Sequence, residues 1–95
     1  MTLDQFRASL RQSSPSAELS PLLTALWWEG KGDWSQAHEI AQAEESADAA
    51  WVHAYLHRKE GDTSNAGYWY NRAHQPHCTL SLDAEWEQIA SALLR

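Results

Sequence analysis

His53 and His57 lie four residues apart, a spacing that places two side chains one turn apart on the same side of a helix. Two imidazoles so arranged can ligate zinc or nickel, and a durable site then needs a third and a fourth ligand. The nearby residues of the right type are His74, His77 and Cys78. The alternative is a solvated or hydrogen-bonded histidine pair that completes the polar side of its helix, or a surface for a ligand or partner. The segment His74-Gln75-Pro76-His77-Cys78 mixes ligand types without the paired spacing of a zinc finger, and Pro76 already accounts for it as a helix-ending loop. A nucleophilic role for Cys78 requires a positioned base and a lowered thiol pKa, neither of which adjacency to His77 supplies. No phosphate-binding glycine loop, nucleophile elbow or HExxH run occurs, so no catalytic residue is assigned.

A second group of residues falls on the helix expected after Asp62. Ala66, Trp69, Tyr70 and Ala73 point to one side, which leaves Asn65, Tyr68 and Arg72 as a stripe on the other at intervals of three and four. Arg72 offers a planar fork for a carboxylate, Asn65 a donor and an acceptor, and Tyr68 a rigid contact, a combination suited to a peptide carboxylate or an acidic segment. The same stripe is also what ordinary solvated surface looks like. Trp28 stands away from the stripe of Leu19, Leu22, Leu23 and Leu26; it either lines a groove together with His53 and His57 or wedges between helices.

Composition limits what these groups can serve. Seven Lys and Arg against thirteen Asp and Glu give a net charge of −6, which repels phosphate backbones and anionic lipid, so neither nucleic acid nor a membrane is an expected partner. A single cysteine, Cys78, rules out an internal disulfide, and a cytoplasmic location is the simplest expectation. The N-terminal segment carries Asp4, Arg7 and Arg11 among its apolar residues, unlike the unbroken apolar run of a secretory signal. Six Trp, three Tyr and one Phe in 95 residues call for an aromatic core, an aromatic interface, or both.

Helical signals account for nearly the whole chain, and no strand is expected. Thr2 with Gln5 forms a capping box for a helix over residues 2–12, and Pro15 within a serine-rich stretch marks a linker. Ser20-Pro21 caps and opens a second helix reaching about residue 31. Gly32-Asp33 and Gly61-Asp62 each combine a residue that tolerates the left-handed conformation with a cap for the next helix. Between and after them the spacing predicts helices over 34–45, 48–60 and 62–74, and a last one from about residue 82. Arg58 falls towards the apolar side of its helix, where its stem can lie over Trp51 and its charge can meet a carboxylate. Gly67 sits inside a helix and points to a closely approaching backbone.

Aligning the two Gly-Asp pairs gives an internal repeat at an offset of 29 residues, in which Ala25 matches Ala54, Leu26 matches Tyr55, Trp28 matches His57 and Ala37 matches Ala66. The runs Ala25-Leu26-Trp27-Trp28…Gly32-Asp33-Trp34…Ala37 and Ala54…Gly61-Asp62…Ala66…Tyr70…Ala73 resemble tetratricopeptide repeats over residues 20–76. The repeat is shorter than that family's usual one, and Ala41 stands where the first unit should carry an aromatic residue. The run from Trp51 to Asp62 followed by Tyr68-Trp69-Tyr70 is also similar to a group of small bacterial proteins, a likeness that bears on the fold and carries no activity. The helical signals together with the resemblance give a single all-α domain of about six short helices: an N-terminal helix in residues 1–12, two antiparallel helix hairpins in 20–76 that the resemblance covers, and a C-terminal helix in 82–95. The repeated hairpins and the aromatic surplus point to a protein-interaction module binding a peptide or a second copy of itself as a homodimer, with Trp28, His53, His57, Asn65, Tyr68 and Arg72 as the candidate contacts. The alternative is a metal-binding protein or metal-dependent enzyme using His53 and His57, with zinc as the ion.

Overall fold

Each helix begins on a side chain that accepts a hydrogen bond from the first turn: Thr2, Ser20, Asp33, Ser46, Asp62 and Ser81. The computed structural model describes residues 1–95. Its helices are α1 (Leu3–Ala8), α2 (Pro21–Gly30), α3 (Trp34–Gln42), α4 (Ala47–Lys59), α5 (Thr63–Ala73) and α6 (Leu82–Leu93), with one 3₁₀ turn at Ser9–Arg11 after α1 and no strand. At Thr2 the capping box is reciprocal, since the Gln5 side chain accepts from Thr2 N at 2.9 Å while Thr2 Oγ1 accepts from Gln5 N at 3.1 Å. No helix is long and apolar enough to cross a membrane.

The two Gly-Asp junctions share their glycine, aspartate and capping hydrogen bonds. Gly32 and Gly61 have φ of 88° and 91°, a region that L side chains rarely occupy. Asp33 N donates to Trp28 O and Asp62 N to His57 O, both at 2.9 Å, and the glycine N–H groups donate to Glu29 O and Arg58 O. Both aspartates then cap the following helix, Asp33 through Gln36 N and Asp62 through Asn65 N. These bonds close the orphan carbonyls of one helix and the orphan amides of the next within two residues. Consequently α2 packs on α3, α4 packs on α5, and α3 in turn contacts α4.

Helix α4 occupies the middle of the molecule, in contact with α2, α3, α5 and α6, and its residues Ala49 to His57 are all buried. Small residues permit the close approach: Ala37 and Ala41 on α3, Ala54 on α4 and Ala66 on α5 are at most 2% exposed. Phe6 stacks on Trp86 with ring centroids 5.4 Å apart, joining α1 to α6. Three indole N–H groups end on backbone carbonyls, Trp27 on Ser9 O, Trp34 on Leu56 O and Trp86 on Leu26 O, as buried tryptophans require.

Two carboxylates are buried, Glu85 and Glu29. Glu85 is fully buried and receives Arg58 Nη1 at 2.8 Å and the Tyr70 hydroxyl. Arg58 thus meets a carboxylate, and its other terminal nitrogen donates to Leu80 O. Next to it, Lys59 pairs with Glu29 of α2, whose side chain is 1% exposed.

Two outcomes check this description. Gly61→Ala places a Cβ in the left-handed region and lowers unfolding free energy by about 1–2 kcal/mol in urea titration, although nothing stands within 4 Å of the added carbon. Glu85→Leu strands the Arg58 guanidinium and the Tyr70 hydroxyl and costs about 3 kcal/mol in the same assay.

Candidate functional site

The enclosure of α4 decides where its histidines go. His53 and His57 are 5% and 8% exposed, so they do not complete a solvated polar face. Helices α3 and α5 cover the two flanks of that side of α4, and each contributes an aromatic wall. Trp34 of α3 stacks on His38 at 4.8 Å and 11°, and Trp69 of α5 stacks on His53 at 4.2 Å and 13°. His38, four residues beyond Trp34 on α3, faces both α4 histidines edge-on, with ring centroids 5.0 Å from His53 and 5.2 Å from His57.

One ring nitrogen from each of His38, His53 and His57 lies within 4.8 Å of the others. The Glu60 carboxylate, which can only accept, sits 3.0 Å from His57 Nδ1; that nitrogen therefore carries a hydrogen, which makes Nε2 the nitrogen of this ring that a metal ion would meet. The Asn65 amide lies 3.5 Å from the same Nδ1. His53 Nδ1 is sealed from solvent with no hydrogen-bond partner, an arrangement that costs about 1–3 kcal/mol unless something engages it. Burial holds the His53 pKa down to about 4, with His38 and His57 adding to the effect. Burial also lowers that of His38, reinforced by His57 and partly opposed by Glu60. Burial thus favours the neutral form of His38 and His53, the form that ligates a metal ion.

His57 also lies within 4.8 Å of Glu60 and Asp62. Asp62 is engaged in capping α5, and both carboxylates are exposed.

The triad opens into a groove of about 950 Å³ that also reaches Gln42, Glu44, Glu45, Asn65, Tyr68, Trp69, Arg72 and His74. Of the residues singled out from sequence, His53, His57, Asn65, Tyr68 and Arg72 meet here. Trp28 does not line this groove; it is half-buried on α2, edge-on to Trp27 at 5.0 Å. The expected further ligands are also placed differently. His74 ends α5 in the left-handed conformation and lines the groove outside the triad. His77 stacks on Tyr70 at 5.3 Å and fills the space above Gly67, where a Cβ would come within 3.0 Å of its ring, so a side chain and not a backbone explains that glycine. Cys78 lies with Trp51 and Gln88 in a separate pocket under the Gln75–Leu80 segment.

Sequence reasoning missed His38, Glu60, Trp34 and the outward turn of Trp69. For His38 a signal was present: Trp34 and His38 are i and i+4 on the helix that joins the two repeat units, so they share the face that meets the next unit. Trp69 fell on the apolar side of its helix by periodicity, yet it is only half-buried because it covers His53.

Comparison with protein-family models, curated proteins and solved structures gives no match.

The low His53 pKa fixes the sign of a pH dependence in the metal-free protein. Between pH 6.5 and about 4 the unfolded chain binds a proton at this site and the folded chain does not, so its contribution is complete above pH 6.5 and declines as pH falls towards 4. Over that interval urea titrations should lose on the order of 3 kcal/mol, and His53→Gln should flatten the profile.

Proposed function

We propose that the protein is a small helical-repeat binding module whose two tetratricopeptide-like helix pairs hold one divalent transition-metal ion, zinc in the first instance, on His38, His53 and His57. The convergence of three imidazole nitrogens within 4.8 Å carries this reading. Three neutral nitrogen donors match zinc, nickel and cobalt and suit magnesium or calcium poorly. Glu60 on His57 Nδ1 supplies the outer hydrogen bond that orients a ligating histidine, and the indoles of Trp34 and Trp69 limit ring rotation. Tetrahedral bonds of about 2.0–2.1 Å place donors about 3.3 Å apart, so the nitrogens, now within 4.8 Å of one another, would close by up to about 1.5 Å around an ion. Three protein ligands would leave one coordination position, and all three histidines line the groove.

A second use of the same scaffold, docking of a protein segment or of another copy of the chain, is favoured by Asn65, Tyr68 and Arg72 opening into the groove. Among large apolar residues only Met1, Tyr68 and Leu80 are exposed, so contact of this kind centres on the groove and not on a broad apolar face.

Calorimetric titration of tag-free protein tests the metal reading. One zinc per chain is expected, and zinc at a hundredfold excess over its dissociation constant should raise the thermal midpoint by roughly 10 °C. His38→Ala should abolish both effects, whereas His77→Ala and Cys78→Ser should leave them intact. Absence of binding heat together with an unchanged midpoint refutes the metal reading.

A further inference from the structure

Four of the seven Lys and Arg have settled partners; Arg11, Arg72 and Arg95 meet no carboxylate, and of these three only Arg72 lines the groove. Arg7 pairs with Asp83, Arg58 with Glu85 and Lys59 with Glu29, and Lys31 donates to the carbonyls of Leu10 and Gln12. Arg72 pairs with no carboxylate, although the chain has thirteen. It is nevertheless held in place: its guanidinium carbon lies 5.6 Å from the Tyr68 ring and 5.3 Å from the Trp69 ring, and Nη1 donates to the Tyr68 hydroxyl at 2.8 Å. Two aromatic rings and a hydroxyl thus restrain a long side chain before any ligand arrives, which reduces the ordering cost that weakens exposed arginine contacts. The remaining guanidinium N–H groups keep the fork that matches a carboxylate.

This fork and the histidine triad are joined by one indole. The Trp69 ring that carries Arg72 is the ring stacked 4.2 Å from His53, and both Arg72 and the triad line the same groove. We propose that the groove binds a small elongated organic anion, one end of which takes the open coordination position of the metal while a carboxylate at the other end is held by Arg72. The assignment rests on the three-histidine metal site. Size and field both favour a small ligand: Glu44 and Glu45 border the groove, and with a net charge of −6 the protein repels an extended polyanion. A single carboxylate held by a fixed guanidinium escapes that penalty, because the attraction acts at contact distance while the opposing charges are screened by salt.

Cobalt(II) in place of zinc makes the site visible through its absorption bands, and acetate, succinate, glutarate and inorganic phosphate are the probes. Succinate or glutarate should shift the cobalt bands at concentrations at least about tenfold lower than acetate, the advantage expected of one charge-assisted pair. Arg72→Gln should erase that advantage while cobalt affinity, the acetate response and the thermal midpoint stay as in the parent protein, and Arg72→Lys, which keeps charge without the fork, should restore only part of it. If cobalt binds but the dicarboxylates match acetate, if Arg72→Gln keeps their advantage, or if phosphate alone responds, the anion site is overturned and the metal site stands. If cobalt does not bind, the metal site falls and the anion site falls with it.

Discussion

Helix α4 has no solvent-facing side from Ala49 to His57, and every polar group along that stretch must find its partner inside the protein. Apolar and small residues meet this condition against α2, α5 and α6. His53 and His57 cannot meet it in the same way, because burying an imidazole strips its nitrogens of water. The surrounding helices respond with aromatic walls and a third histidine, and the C-cap of α4 itself supplies a carboxylate to His57. The partnerless His53 Nδ1 is what remains unanswered, on a ring that shares its surroundings with His38 and His57.

The position of α4 is set at its C-terminal end by consecutive charges. Arg58 reaches Glu85 on α6 and Lys59 reaches Glu29 on α2, so two adjacent residues tie the helix to neighbours on different sides. Their positive charge also suits the negative end of the helix dipole. His57 immediately precedes this pair, and Glu60, which orients its ring, immediately follows. A buried carboxylate such as Glu85 contributes more to a unique arrangement than to net stability. Here that arrangement carries the site: a rotation of α4 would separate His53 and His57 from both His38 and Trp69.

The all-α architecture was legible because its signals are local. Ser20-Pro21, Gly32-Asp33 and Gly61-Asp62 announce helix boundaries by backbone chemistry that does not depend on the rest of the molecule, and the repeat offset of 29 residues reappears as two junctions that share their glycine, aspartate and capping bonds. Asn65, Tyr68 and Arg72 likewise emerged from the spacing of three and four along one helix. The burial of His53 and His57 was not legible, since a helical wheel ranks polarity around one helix and says nothing of how many neighbours will cover it. His38 was overlooked because it stands alone on a different helix, although it is nearer in sequence to the pair than His74 is, whereas His74, His77 and Cys78 drew attention by proximity to each other. Trp28 occupies the repeat position of His57, yet α2 places it outside the groove: equivalent positions in two units share a local register and not a common neighbour.

The most direct test of this account is X-ray absorption on the zinc-loaded protein, which counts the ligands around the ion. The account predicts three imidazole scatterers at about 2.0–2.1 Å with one further oxygen or nitrogen and no sulfur, and one imidazole fewer in His38→Ala protein if any zinc is retained. A sulfur at about 2.3 Å, which would bring in Cys78, or a coordination shell unchanged by loss of His38, would contradict it.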